Sequence, residues 1–372
     1  MTKFPILFAC LPLLLRADNY LLGKADFAAG SEPYGIVAGD FNRDGIPDLA
    51  VVANGTESVS ILLGMGAGRF APPVSYPVGR GPRWILAADV NGDGLTDLAV
   101  VNQNCPLTGC PGIGSVSILL GNGDGTFRHR IDTPAGYGPT GLALGDYNGD
   151  GKLDLAVSVG DNSTGNTVLT YLGNGDGSFG PPTAYIVGTN PAYVVNADFN
   201  GDGNLDLAVI NHSTSTVSIL LGKGDGTFQH GTTFPTGSLP ISAAYVDFNH
   251  DGKIDLAVVN TGNNTVSVHL GNGDGTFQKN VDYPVASQCF GVLAADVNGD
   301  GYPDIVATGW TESNLSLLLG NGDGTFGPYL TYGTGYGPMG VTIGAFVDAC
   351  GRDLATGNAM QNTVSVLANG CK

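Results

Sequence analysis

The sequence predicts an all-β chain, a seven-bladed β-propeller of four-stranded blades, and three observations carry that expectation. A nine-residue acidic loop, D-x-N-x-D-G-x-x-D, occurs six times, at residues 40–48, 89–97, 146–154, 198–206, 247–255 and 296–304. The first aspartates of successive copies lie 49, 57, 52, 49 and 49 residues apart, and a fixed period of roughly 40 to 50 residues marks propellers or solenoids. Between the loops, apolar residues come in short alternating runs, which indicates strands and not helices.

The first unit reads as strand A over residues 36–41, the acidic loop, strand B over 49–53, a polar turn, strand C over 59–63, a glycine-rich turn and strand D over 73–78. Four strands per unit make one blade. Small residues precede the acidic loops, at Ala38-Gly39, Ala87-Ala88, Ala243-Ala244 and Ala294-Ala295, as expected where innermost strands crowd around an axis. A seventh, degraded loop follows at residues 345–353, with Ala345, Val347 and Ala349 where the others carry Asp, Asn and Asp. It is expected to hold no metal. The last unit ends after its strand C, at 364–367, while residues 22–27 look like the turn that precedes strand D elsewhere. Residues 25–30 should therefore complete blade seven and close the ring, removing two exposed sheet edges. Residues 18–372 form one propeller in this reading.

Each acidic loop offers carboxylates at positions 1, 5 and 9, an Asn amide oxygen at 3 and a main-chain carbonyl at 7, with Gly at 6 where the backbone turns sharply. Calcium takes six to eight such oxygens in a forgiving geometry. The donors of the first loop are Asp40, Asn42, Asp44, the carbonyl of Ile46 and Asp48. The next two supply Asp89, Asn91, Asp93, Leu95 and Asp97, then Asp146, Asn148, Asp150, Lys152 and Asp154. The last three supply Asp198, Asn200, Asp202, Asn204 and Asp206, then Asp247, Asn249, Asp251, Lys253 and Asp255, then Asp296, Asn298, Asp300, Tyr302 and Asp304. The spread of residue types at position 7 makes sense if its side chain does not coordinate. About six structural Ca²⁺ ions per chain are expected.

These loops resemble the calcium motif of the FG-GAP/VCBS repeat family, whose best-known members are the integrin α-subunit propellers. The resemblance covers about residues 20–370. Its "FG" survives at Phe179-Gly180 and Phe326-Gly327, whereas "GAP" is replaced by segments such as Gly138-Pro139-Thr140. The resemblance implies extracellular, calcium-stabilised recognition and does not name a ligand.

Composition agrees. The formal net charge is −18, the same magnitude as three aspartates in each of six loops, and six Ca²⁺ would cancel twelve of those charges. With 15 Lys+Arg the chain lacks the basic field that phosphate backbones require, which argues against nucleic acid. Residues 1–17 read as a secretory signal, with Lys3 before an apolar run at 4–15 that is too short to span a bilayer. Cys105 and Cys110 sit in one inserted loop and Cys350 and Cys371 in blade seven, two candidate disulfides for an oxidising compartment, while Cys289 reads as a buried apolar residue.

A second motif, L-G-N-G-D-G-T-F, recurs at residues 120–127, 270–277 and 319–326, with variants at 172–179 and 221–228. Its glycines lead into a strand and not a helix, so it reads as a strand C to D hairpin with an inward Phe, a second weak cation site being the alternative. If A runs down into the acidic loop, acidic loops and glycine turns share one face of the ring, and B–C and D–A connections share the other. That second face collects Arg80, Arg83, Trp84, Tyr137, Trp310 and Tyr336, residue types that dominate recognition surfaces. The alternative for Trp84 and Trp310 is packing between or over blades. Sequons at Asn54, Asn162, Asn211, Asn263 and Asn314 fall in the same connections. The functional expectation is a secreted recognition or adhesion module for an extracellular protein or glycan. A lectin-like propeller is the nearer alternative and a carbohydrate-active lyase or hydrolase the remoter one, since no catalytic motif is present.

Overall fold

The computed structural model of the protein describes residues 21–104, 112–160, 165–347 and 351–370. The apolar runs pair as seven separate four-stranded antiparallel sheets. Blade one comprises the strands Pro33–Gly39, Asp48–Ala53, Ser58–Leu62 and Val74–Pro77, in chain order A to D from the axis outward. Every B strand is buried throughout or nearly so, as in Asp48–Ala53, Asp97–Asn102 and Asp255–Asn260. The B strand lies in the middle of its blade with sheets packed on both faces, which explains continuous D-L-A-V-V runs where a half-exposed strand would alternate.

The A strands stand side by side around the axis, each touching those of its two neighbours, and the A strand of blade seven touches that of blade one. Glycines in the A strands permit the close approach. A Cβ on Gly35 would lie 2.8 Å from the carbonyl oxygen of Arg83, and one on Gly340 2.8 Å from that of Tyr34. Between blades the cores are aliphatic and aromatic, for example Phe41, Val52, Ile61, Ile85, Val100 and Phe127 between blades one and two.

Ring closure follows the expected route with a longer strand. Leu21–Ala28 pairs antiparallel with Thr363–Asn369, so blade seven takes its outermost strand from the start of the propeller. The expected glycine-type turn over residues 22–27 is not formed, because those residues are already in the ladder, with a register shift between Leu21 and Gly23. The reason is visible in the pairing: Asp26 reaches Ser365, whose hydroxyl donates to its carboxylate at 2.6 Å, as Ser117 does to Asp132 and Ser267 to Asp282 inside contiguous blades.

Candidate functional site

Each acidic loop is organised around its own backbone. In the first, the amide of Asp44 donates to Asp40 Oδ1 and Asn42 Oδ1, and the amide of Gly45 donates to Asp40 Oδ2. The amide of Ile46 donates to Asp44 Oδ1. The same pattern recurs in four of the other five loops, for instance at Asp146, Asn148 and Asp150, and in the last the amide of Gly299 takes Asp296 Oδ1 in place of that of Asp300. The position-6 glycines adopt the left-handed conformation that the turn demands, with φ of 81° at Gly45 and 90° at Gly301.

Position 9 behaves differently. Asp48, Asp97, Asp154, Asp206, Asp255 and Asp304 are fully buried. Asp48 accepts the amide of Phe41 at 2.8 Å on one oxygen and that of Gly64, in the glycine turn, at 2.7 Å on the other. Burial pushes Asp48, Asp206, Asp255 and Asp304 up to about 6, against the backbone amides that hold them down, two each for the first three and three for Asp304, and for Asp48 the neighbouring carboxylates of Asp44 and Asp40 push the same way. Asp353 of the degraded seventh loop keeps this role, accepting amides from Val347 and Asn369. Position 9 therefore ties the loop to the end of strand C whether or not positions 1, 3 and 5 survive.

Among the described residues, no group of three or more His, Cys, Asp or Glu side chains gathers closely enough to hold a metal ion. A cation in these loops would draw on a mixed set: two carboxylates, the Asn amide oxygen, a main-chain carbonyl and the spare lone pairs at position 9. All of these are oxygens, the donor chemistry of a hard cation.

The glycine turns interlock with the acidic loops of the preceding blade. The amides of Gly125, Gly226, Gly275 and Gly68 donate to the carbonyls of Phe41, Tyr147, Phe199 and Phe346, which occupy position 2 of those loops. Where position 2 is aromatic, the Phe of the turn packs against that ring, edge-on in pairs such as Phe41 with Phe127 at 5.7 Å and Phe248 with Phe326 at 5.3 Å, and Val90 and Val297 take that place in the other two loops. The Asp of the turn is spent locally: Asp124 Oδ1 accepts the amide and hydroxyl of Thr126, and these bonds hold its carboxyl below the usual range. Turn chemistry thus accounts for the second motif.

At the opposite end, the A strands open into a mouth. Six of the seven begin with proline followed by a register shift: Pro33, Pro82, Pro139, Pro191, Pro240 and Pro338. Such a bulge re-aims a side chain, here the one after the proline. Tyr34, Arg83, Thr140, Ala192, Ile241, Phe290 and Met339 are the seven equivalent residues, and all line one cavity of about 180 Å³ at the axis, with Trp84, Gln103, Asn190 and His212. Tyr34 and Arg83 also line a second basin of about 590 Å³, shared with Trp310, Met360, Asn54 and Glu32. Below the mouth, Trp84 meets Tyr193 edge-on at 5.5 Å, and Tyr193 lines an axial chamber of about 370 Å³ walled by A strands.

Arg83 is the cation of the mouth. Its Nε donates to Gln103 Oε1 at 3.0 Å and its guanidinium lies 5.3 Å from the centre of the Tyr34 ring. Burial pushes its pKa down from the ordinary value. No carboxylate pairs with it among the described residues. His212 directs Nδ1 at the carbonyl of Pro240, 3.0 Å away.

The structure thus gathers Arg83, Trp84 and Trp310 around two adjoining cavities. Arg80 instead pairs with Glu57 at 3.5 Å on the surface, and Tyr137 and Tyr336 stand exposed outside both. Trp310 also packs edge-on against Phe290 at 5.6 Å, so it both caps a blade and faces the basin. Of the sequons, Asn211 and Asn314 are buried in strands, their amides bonded to Thr216 and Ser218 and to Glu312. They are not glycan acceptors, because strand B and strand C extend further into the connection than the pattern suggested. Cys289 is buried as expected, whereas Cys105, Cys110, Cys350, Cys371, Asn162, Ala349 and the candidate signal lie outside the described residues. Sequence reasoning missed Tyr34, Phe290 and Met339. The available signal was the constant twelve residues from each turn Phe to the head of strand A, which fixes a frame in which the next residue is of a different type in every blade.

Among the described residues, no helix is long and apolar enough to cross a membrane. No curated protein matches the chain in sequence. Similar solved structures include BBS1N in complex with ARL6DN, at 11% identity and a TM-score of 0.65, covering 94% of this chain and 97% of that one. A lectin from Agrocybe aegerita, described as recognising non-reducing terminal N-acetylglucosamine, aligns at 22% identity and a TM-score of 0.53 over 80% of each chain. A protein of unknown function from Desulfotomaculum acetoxidans aligns at 15% identity and a TM-score of 0.54, over 82% of this chain and 90% of that one. These likenesses are of fold. The profile of the FG-GAP-like repeat matches residues 40–100, 107–157, 157–209, 198–258, 247–307 and 296–347, six units of which four begin at the first Asp of an acidic loop, and the chain belongs to that family.

Proposed function

We propose that this chain is a secreted recognition propeller that binds an extracellular glycan or protein on its B–C and D–A face and is stiffened by calcium in the acidic loops at the other face. One observation carries the reading: both cavities at the mouth are lined by the heads of A strands and by B–C and D–A connections, and by no residue of an acidic loop. Loops on a rigid scaffold are where binding residues concentrate, and exposed aromatic and arginine side chains supply most of the affinity in such sites.

Calcium would be held by the carboxylates of positions 1 and 5, the Asn oxygen of position 3, the position-7 carbonyl and position 9, for instance Asp146, Asp150, Asn148, Lys152 and Asp154. It would supply charge neutralisation and rigidity and no chemistry on a ligand. A glycan partner is the more specific version of the reading. Its support is the basin itself, where Trp310 offers a flat apolar face beside Asn54 and Asn362, together with the lectin among proteins of similar fold.

A glycan array probed in calcium tests this. Spots retained by the wild type and lost on Trp310→Ala are expected. Retention unchanged by that substitution, or release of sugar products from polysaccharides, would contradict it, the latter in favour of a carbohydrate-active enzyme.

A further inference from the structure

We infer that the axial mouth is a binding site for a small monocarboxylate whose ring or apolar body rests on aromatic side chains. The inference rests on the reading of this face as the recognition face and adds the chemical class of ligand.

The ring of seven bulge residues is the starting point. In a symmetric scaffold, a position that must only pack tends to one or two residue types, as position 2 of the acidic loops does, with an aromatic at Phe41, Tyr147, Phe199, Phe248 and Phe346 and Val at Val90 and Val297. The residues behind the prolines share nothing, running from Arg83 through Thr140 and Ala192 to Met339. The result is a lopsided cavity, with one cation and polar groups toward blades two to four and Phe290, Met339 and Ile241 on the far wall. A ligand with one charged end and one apolar end fits that division.

The charge is assigned by Arg83. Its Nε–H is committed to Gln103, which orients the guanidinium plane, and its remaining four N–H donors have no partner among the described residues. Two parallel N–H groups match a carboxylate in bidentate fashion. A dianion such as phosphate would bring two charges to a single cation, so the site suits a monoanion. The acidic loops do not forbid it. They lie a seven-residue strand away, about 20 Å at the usual rise, which exceeds the roughly 8 Å screening length at physiological salt. Nearer acids are Glu32 at the rim of the basin, Glu57 already paired with Arg80, and Glu312 bonded to Ser287. The cavity of about 180 Å³ equals the liquid volume of about six waters, the scale of one pyranose or benzene ring with its substituents.

Two sources share this chemistry, the acidic terminal residue of a glycan and a free aromatic acid. Calorimetric titration with sodium glucuronate and with sodium benzoate, each beside its neutral counterpart glucose or benzamide, separates them. At least one carboxylate is expected to bind tenfold or more tightly than its counterpart and to lose tenfold or more on Arg83→Gln. Preference for glucuronate assigns the site to a glycan terminus, and preference for benzoate to a free acid. The proposal is overturned if neither carboxylate binds at millimolar concentration, if the neutral counterparts bind as well, or if folded Arg83→Gln retains full affinity. Should that variant not fold, the wild-type comparison of charged and neutral probes decides alone. Failure here with glycan spots still lost on Trp310→Ala would leave the wider recognition reading standing.

Discussion

His269 shows how one residue can carry a pH response in a fold otherwise built from repeats. It ends strand C of blade five, and at the same register the other blades place Leu62, Leu119, Tyr171, Leu220, Leu318 and Leu367. The imidazole is buried against the Phe234 ring at 4.9 Å, with Nε2 at 3.2 Å from Thr236 Oγ1 and Nδ1 unbonded. Burial pushes its pKa down from 6.5 to about 4, with the Asp282 charge pulling weakly the other way. The unfolded chain therefore binds a proton that the folded one refuses, so stability present above pH 6.5 is lost as the pH falls towards 4. A shift of that size corresponds to on the order of 3 kcal/mol. His269→Leu is expected to flatten the fall in melting temperature between pH 7 and pH 4.5. Parallel pH profiles for the two proteins would show that the ring is accommodated when charged.

At the scale of elements, the strand that closes the ring is held by the same polar chain that holds contiguous blades. Asn358 donates to Ser365, the amide of Gly335 donates to the same hydroxyl, and Ser365 donates to Asp26. Asp26→Ala removes the last bond and is expected to cost about 1–2 kcal/mol. Its specific mark is faster amide exchange along Thr363–Asn369 than along the equivalent strand of blade five. Equal exchange in the two strands would mean that packing alone secures the closure. This Asn–Ser–Asp chain was present in the sequence as an Asn ending strand B, Asn358 here and Asn102 and Asn260 in blades two and five, and a Ser within strand C, Ser365, Ser117 and Ser267, but polar residues in a β run read equally well as solvent-facing, and only the stacking of blades on both sides makes them interior. The acidic loops were legible for the opposite reason: their period, their glycine and their carboxylates repeat at fixed spacing. The mouth was half legible. Arg83, Trp84 and Trp310 stand out by residue type, whereas Tyr34, Phe290 and Met339 become a set only once the bulge after each proline turns them to one axis.

On the scale of the whole molecule, the ring has two ends of different character. One end carries the exposed carboxylates of six loops in a chain of net charge −18, and a cation bound there, as proposed, would relieve their mutual repulsion and stabilise the folded state by mass action. The other end carries the mouth and its basin, with the Arg83 cation and Trp310. The most direct test is to record melting curves with calcium and with chelator, and binding to a wild-type ligand found on the array, for wild type, Asp150→Ala and Trp310→Ala side by side. Chelator should lower the wild-type melting temperature by several degrees. Asp150→Ala should melt lower in calcium yet bind normally in its folded fraction, while Trp310→Ala should keep the calcium-dependent melt and lose binding tenfold or more. A chelator-insensitive melt with metal removal verified, or a folded Asp150→Ala that no longer binds beside a Trp310→Ala that does, would place function on the acidic face and contradict the division.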